Sequence, residues 1–306
     1  MTRVPPAAHI SAHHPALPFL AVAAGIASFS VMDGLMKAAS LAIGAFSAML
    51  WRSLMSSAVL APVWLARGGH WPRGTVLRLH ALRGLNSAAM ATSFFWALKY
   101  LPLAEAIAIS FIAPLIALYL AAVMLGEHVS ARAVWASLLG LAGVGVIAAA
   151  RLSSGGYSDQ AALGIGAVLF SAVLYAWNLI LQRQQAQLAS PREVATFQAL
   201  FTSLFMAAAA PWLLQVPALP IAGTLAGAAL LATLSLMVLS WGYARAETQV
   251  LLPLEYTAFI WAALTGWLMF GEALTWPAIA GAGLIVIGCW IAARPKQPSY
   301  TGQAAL

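Results

Sequence analysis

Long apolar stretches recur along this chain, and they constrain its fold more than any other feature. Windows of about 19 residues place helices at 17–38, 44–66, 75–98, 102–124, 131–150, 161–182, 191–214, 218–243, 247–270 and 275–293. Each stretch is close to the roughly 20 residues that cross a hydrocarbon core of roughly 30 Å. We therefore expect an all-α polytopic membrane protein with ten transmembrane helices.

The composition argues against a water-soluble fold. Of 306 residues, 62% are apolar and 8% are charged, whereas about a quarter of the residues in soluble domains are charged. The net charge of +7 is spread singly between the apolar stretches, and a nucleic-acid-binding surface would need it clustered. We expect the basic residues to set membrane topology, and we expect no nucleic-acid partner.

Lysine and arginine are distributed unequally between the two sides of the predicted bundle. One side carries Arg3, Arg67, Arg73, Arg78, Arg132, Arg183, Arg192, Arg245, Arg294 and Lys296, and the other carries Lys37, Lys99 and Arg151. Because basic loops stay in the cytoplasm, we predict a bacterial inner-membrane protein with cytoplasmic tails at 1–16 and 294–306. No small-residue cleavage site marks a signal peptide, so the first apolar run should remain as a helix.

An internal repeat occurs at a constant offset of 145 residues. The sequence LGEHVS at 125–130 corresponds to FGEALT at 270–275, and the same offset carries Ala113 onto Ala258. Several matches at one offset favour a duplication over chance similarity of helix ends. The sequence therefore predicts two related halves.

Each predicted half contains an odd number of helices, five, so the second half should be inverted relative to the first. The halves are placed at 17–151 and 161–293. Inverted repeats are a recurrent plan of secondary transporters, with the substrate site near the midplane between the halves. We expect a carrier of a small molecule that works by alternating access in the lipid bilayer, as a monomer or a homodimer.

Short motifs connect the chain with a known family. The sequences KYLPLAEA at 99–106, APL at 113–115 and LGE at 125–127 resemble the fourth and fifth helices of the EamA branch of the drug/metabolite transporter superfamily, and the match recurs around Leu254 and Gly271. The resemblance implies ten helices, a central cavity between inverted halves, and efflux or exchange of small metabolites. Aromatic and other neutral amino acids and S-adenosylmethionine are among the substrates that it implies.

Charged side chains inside the predicted helices are candidates for function. Asp33, Arg52, Arg83 and Glu255 lie away from helix ends, where a charge costs roughly 2.5–3.5 kcal/mol on insertion scales. Their depths, at about 1.5 Å per residue, suggest that Asp33 pairs with Arg52 and that Arg83 pairs with Glu255. Such pairs either hold helices in register or couple transport to protons, and the sequence leaves both open.

An Asp/Lys pair on the first helix has a neutral counterpart on the sixth. The offset maps Asp33 onto Asn178 and Lys37 onto Gln182, and a spacing of four places each pair on one helix face. We expect both faces to line the central cavity. For Lys37 alone, we favour a side chain that extends to the outer headgroups.

Further polar and aromatic residues complete the predicted substrate site. Together with Asp33, Lys37, Asn178 and Glu255, they are Asn86, Ser110, Tyr175, Trp177, Tyr256 and Trp261, of which Ser110 is the repeat counterpart of Glu255. Aromatic walls with a few opposite charges suit an amino acid with an apolar side chain. Plain packing is the alternative for the aromatic residues.

Two prolines are predicted to lie within membrane helices. Pro114 falls in the fourth helix and Pro253 in the ninth. Proline lacks the amide hydrogen that its turn of helix would use, which permits bending. Both are candidate hinges, and a static kink is the alternative.

Other function classes lack their signatures in this sequence. It contains no nucleophile elbow, ATP-binding loop or zinc-ligand spacing, and nothing that resembles a selectivity filter. We therefore expect no catalytic residue, metal or cofactor. The prediction is a secondary transporter that exports or exchanges small metabolites, with aromatic or other neutral amino acids favoured. A carrier of S-adenosylmethionine or another nucleoside metabolite is the alternative, followed by an intramembrane enzyme.

Overall fold

A computed structural model describes residues 17–125, 131–153, 158–243 and 254–293, and within these ranges the chain is helical with no strand. The helices of the first half are α1 (Leu17–Ile43), α2 (Ala45–Ala66), α3 (Gly74–Ala97), α4 (Leu103–Ser110), α5 (Ala113–Leu125) and α6 (Ala131–Ser153). Those of the second half are α7 (Ser158–Ala186), α8 (Pro191–Ala207), α9 (Ala210–Leu213), α10 (Leu219–Tyr243), α11 (Ala258–Phe270) and α12 (Trp276–Ala293).

The offset of 145 residues reappears in the helix boundaries. Helix α5 is displaced by that offset from α11 at both ends, and α6 and α12 begin at Ala131 and Trp276. The offset relates α1, α2 and α3 to α7, α8 and α10. Helix packing follows this correspondence: α1 packs on α10 as α7 packs on α3, and α2 packs on α10 as α8 packs on α3. The two halves thus make equivalent contacts with each other.

Within the described ranges, four helical segments are long and apolar enough to cross a membrane. They are Leu17–Ile43, Ala45–Ala66, Gln160–Gln182 and Leu219–Leu239. Shorter apolar segments lie at Leu103–Ala117, Ser137–Ala150, Ala258–Phe270 and Trp276–Gly288. The structure supports a helical membrane protein, but it does not confirm the predicted ten spans. Helix α3 is not among the apolar spans, since buried polar residues such as His80 and Arg83 interrupt it.

The predicted fourth helix is divided into two. Helix α4 ends at Ser110, a turn occupies Phe111 and Ile112, and α5 begins at Ala113. Pro114 is therefore the second residue of a new helix, where its missing amide hydrogen costs little. The prediction that Pro114 lies within a continuous helix is wrong. Pro253 lies outside the described residues.

Glycines bring α6 and α12 into close contact. A Cβ atom built on Gly143 would lie 2.5 Å from the carbonyl oxygen of Gly281, and one built on Gly281 would lie 2.6 Å from that of Gly143. Both distances are far below a normal van der Waals contact, so only glycine fits at these positions. Small residues at helix interfaces are typical of membrane bundles.

Candidate functional site

Arg83 is a buried cation held by amide side chains of a neighbouring helix. It lies on α3 and is 5% exposed. Its Nε donates to Oδ1 of Asn178 at 3.1 Å, one terminal nitrogen to Oε1 of Gln185 at 2.6 Å, and the other to Oε1 of Gln182 at 3.2 Å. Spacings of four and three residues place these amides on one face of α7. We call Asn178, Gln182 and Gln185 the amide row.

The hydrogen bonds continue from the amide row to the beginning of α8. Gln185 accepts from Arg83, so its amide nitrogen is the atom that faces Nδ1 of His80, at 2.9 Å. An amide nitrogen only donates, which places the proton of a neutral His80 on Nε2, 3.2 Å from Oε1 of Glu193. The always protonated Arg83 thus determines the tautomer of His80. The ring of His80 is fully buried and stacks on Phe197 at 5.1 Å.

Tyr175 lies where the predicted charged residues converge. Its side chain is 40% exposed, and it interacts electrostatically with Glu255, Arg83 and Asp33. Asp33 in turn interacts with Arg52 of α2. The structure therefore places all four predicted deep charges in one electrostatically connected group around Tyr175.

Both predicted charge pairs remain predictions. Asp33 and Arg52 interact electrostatically, but no hydrogen bond or ion pair joins the two side chains in the described part of the chain. Arg52 donates to the sulfur of Met49 at 3.2 Å, and its buried Nε has no hydrogen-bond partner among the residues that the structure describes. Arg83 bonds to the amide row, which was not foreseen, and its pairing with Glu255 stays a prediction.

The two smaller polar candidates differ in their contacts. Asn86 is buried on α3 and donates to the carbonyl of Leu174 on α7 at 3.0 Å. Its side-chain oxygen is buried without a partner among the described residues. Ser110 donates to the carbonyl of Ala106 within its own helix at 2.8 Å. Of the two, Asn86 lies one turn from Arg83 and joins the same pair of helices.

The aromatic candidates make different packing contacts. Tyr256 meets Phe111 edge to face, with ring centroids 5.6 Å apart. Trp261 packs against a small apolar cluster that contains Val22, and Trp177 is partly buried on α7. Trp261 makes packing contacts in this structure, and the substrate roles of Trp261, Tyr256 and Trp177 stay predictions.

Lys37 is buried, so the expectation that it extends to the headgroups is wrong. Its residue is 4% exposed. The ammonium forms an ion pair with Glu272, in the turn after α11, and donates to the carbonyl of Leu101 at 2.9 Å. The second carboxylate oxygen of Glu272 accepts from the backbone N–H of Leu103 at 2.8 Å, where a helix start favours an anion. Glu272 and the start of α4 cover the ammonium.

The Lys37 contact and the amide row lie towards opposite ends of α3. Leu101 follows the last turn of α3, whereas Arg83 is in its first half. At about 1.5 Å per residue the two positions are roughly 25 Å apart. The repeat offset maps Lys37 onto Gln182 and Glu272 onto Glu127, which lies outside the described residues.

Sequence reasoning missed several buried polar residues. Glu105 is 2% exposed in the first turn of α4, and it lines a very small cavity with Glu272. Glu272 recurs at the repeat offset from Glu127, which is the signal that could have marked it. Gln185 continues the spacing of Asn178 and Gln182 along α7, which is the signal that could have found it.

A duplicated helical bundle with buried charges between its halves is the architecture of a polytopic membrane carrier. The model of the EamA-like transporter family matches this chain twice, over residues 16–149 and 162–294. The chain belongs to that family. It is accordingly a transporter of the drug/metabolite superfamily and not an enzyme.

Curated relatives include the pseudopaline exporter CntI from two strains of Pseudomonas aeruginosa, UCBPP-PA14 and PAO1. Each is 28% identical to this chain over 272 residues, which cover 88% of this chain and 93% of the relative. A solved crystal structure of another protein has a TM-score of 0.61 to this chain at 24% identity, and the match covers 90% of this chain and 97% of the other. That likeness shows the shared fold.

Proposed function

We propose that this protein exports an amino acid, aromatic or otherwise neutral, or a close derivative that keeps both an ammonium and a carboxylate. One observation carries this proposal: two carboxylates and a guanidinium lie within electrostatic reach of the exposed Tyr175. A zwitterion presents charges of both signs at short separation. A site with both signs of charge in a low-dielectric surrounding matches that pattern.

The charged residues suggest complementary roles around Tyr175. Asp33 and Glu255 supply negative charge for an ammonium, and Arg83 and Arg52 supply positive charge for a carboxylate. Arg83 is buried and the other three are partly buried, which strengthens these interactions because the effective dielectric constant is lower than in water. We include Asn86 as a neutral polar contact beside Arg83.

The curated relatives favour a second candidate substrate. CntI is named for export of pseudopaline, so a pseudopaline-like metabolite is a reasonable cargo for this chain. S-adenosylmethionine, which contains an amino-acid moiety, is a further alternative. An amino acid and S-adenosylmethionine would both present an ammonium and a carboxylate to the same residues.

Transport would proceed by alternating access between inverted halves. We propose that the Lys37 end faces the outside of the bacterial inner membrane and that both termini are cytoplasmic, as the basic residues predict. In this state the ion pair between Lys37 and Glu272 closes the outer end. Opening towards the outside would require that pair to separate.

Counterflow into proteoliposomes tests the proposed function. Purified protein is reconstituted with an excess of one unlabelled compound inside, and uptake of its labelled form is measured for aromatic and small neutral amino acids, S-adenosylmethionine and pseudopaline. We expect saturable counterflow of at least one compound that carries both charges. Counterflow of none of them would overturn the proposal, and counterflow of S-adenosylmethionine alone would assign the nucleoside-metabolite alternative.

A further inference from the structure

We propose that Arg83 is the subsite that binds the carboxylate of the transported molecule, and that the amide row positions it for this task. The inference rests on the proposed function and makes it specific, because it names the group that the buried cation recognises. It assigns a ligand contact to Arg83 and a positioning role to Asn178, Gln182 and Gln185.

The positive charge of Arg83 is not neutralised by its described partners. Each of its three hydrogen bonds to described residues ends on a neutral amide oxygen. Lys37 at the other end of the bundle shows the usual arrangement, in which a carboxylate accompanies the buried cation. Burial of an ion without a counter-ion is costly, so a membrane protein that keeps one has a use for the charge.

Arg83 also retains hydrogen-bonding capacity. Its bonds to the amide row use one N–H on each of the three guanidinium nitrogens. Each terminal nitrogen carries a second N–H group, for which the described residues supply no partner. A carboxylate is the ligand that best uses such groups, since its bonds to guanidinium are charge-assisted and roughly twice as strong as neutral ones.

A ligand can approach this guanidinium from the side of Tyr175. Tyr175 lies three residues before Asn178, and therefore on the same face of α7. It is 40% exposed, and it interacts electrostatically with Arg83. A small molecule that packs against the Tyr175 ring would hold its carboxylate next to the cation.

The amide row fixes Arg83 before any ligand arrives. Gln185 accepts from Arg83 and donates to His80, which is itself buried. This chain limits rotation of the guanidinium, so little ordering would remain to oppose binding. A purely structural link between α3 and α7 is the competing explanation, and it predicts no preference for carboxylates.

The test measures ligand-induced stabilisation of the detergent-purified protein. Phenylacetate and phenylacetamide are used as matched probes, since they differ in the carboxylate and both lack an ammonium. Sodium chloride at equal ionic strength controls for salt. Thermal unfolding is followed in the wild type and in three variants: Arg83→Gln, Gln182→Glu and Gln184→Glu.

Gln182→Glu is the decisive variant because it supplies an internal carboxylate to Arg83 with almost no change of shape. It keeps the fold even where Arg83→Gln does not, since it adds a counter-ion to a buried cation. Gln184→Glu adds the same charge to the same helix, at a residue that makes no hydrogen bond to Arg83 in the structure, and it is the matched control.

We expect phenylacetate to raise the unfolding temperature of the wild type and of Gln184→Glu, with apparent affinity at least tenfold above that for phenylacetamide. Gln182→Glu and Arg83→Gln should lose that preference. Absence of a preference in the wild type, or its persistence in Gln182→Glu, would overturn the inference. Counterflow separates the two proposals: a wild type that prefers phenylacetate but moves no amino-acid-like compound would retain the subsite and refute the proposed function.

Discussion

Lys37 and Glu272 form a buried ion pair that joins α1 to the turn after α11, across 235 residues of sequence. The same two side chains bond the carbonyl of Leu101 and the N–H of Leu103, on either side of the turn that leads into α4. The first half of the chain is thereby tied to the second half at one end of the bundle. Rearrangement of the halves at this end would have to break the pair.

Removal of one partner of this pair should destabilise the protein more than removal of both. Lys37→Met or Glu272→Gln leaves a buried group without its partner, at a cost on the order of 3 kcal/mol. The double variant avoids that cost. Thermal unfolding in detergent should therefore show a favourable coupling between the two sites, and the exposed Lys99→Met serves as control. Additive effects of the two substitutions would contradict a direct ion pair.

Loss of the ion pair should also open the Lys37 end. Ala104 is 4% exposed and lines the small cavity beside Glu272. In a Cys289→Ser background, we expect Ala104→Cys to react slowly with a membrane-impermeant maleimide. Addition of Glu272→Gln should accelerate labelling severalfold. The substitution removes a contact that stabilises only the closed conformation, so the open conformation becomes more populated. Equal labelling rates in the two backgrounds would show that the pair does not control access.

Gln185 should contribute more to stability and transport than its position on a helix suggests. The variant Gln185→Leu removes an acceptor from Arg83 and a donor from His80, and both partners are buried. Buried groups left without a partner cost about 1–3 kcal/mol each. We expect Gln185→Leu to have a lower unfolding temperature and weaker transport than the wild type. The control Gln187→Leu, at an exposed turn residue, should behave like the wild type in both measurements. A wild-type unfolding temperature for Gln185→Leu would argue against the described hydrogen bonds.

Glycine substitutions should distinguish close packing of α6 and α12 from general helix flexibility. Gly143→Ala and Gly281→Ala place a methyl group against the backbone of the facing helix, and such overpacking costs about 1–3 kcal/mol. Gly145→Ala and Gly283→Ala meet no atom within 4 Å and should be neutral or slightly stabilising. Unfolding temperatures of the four variants check this, and equal losses at all four would contradict the packing.

The helices could be predicted from the sequence because apolar length and composition determine them locally. The predicted helix at 75–98 corresponds to α3 (Gly74–Ala97), and the repeat offset recurs in the ends of α5 and α11. The division of the fourth helix was missed because both of its parts are uniformly apolar. Nothing in their hydropathy marks the turn at Phe111 and Ile112.

Side-chain partners were harder to predict because they depend on which helix faces meet. The offset singled out Asn178 and Gln182, which lie on one face of α7 since both bond to Arg83; that this face lines a central cavity stays a prediction. The sequence did not show that this face packs on α3. Lys37 was misjudged for the same reason, because the turn that contains Glu272 covers it only in the folded bundle.

The most direct test of the account is counterflow of the best transported compound by wild type and by Asp33→Asn, Glu255→Gln and Arg83→Gln, with apparent affinity and maximal rate measured separately. If these charges bind the two ends of a zwitterion, each substitution should weaken apparent affinity about tenfold or more. Arg83→Gln should also tolerate the carboxamide of the substrate better than the wild type does. Unchanged affinity in all three variants, with protein folded and inserted, would contradict a substrate site around Tyr175.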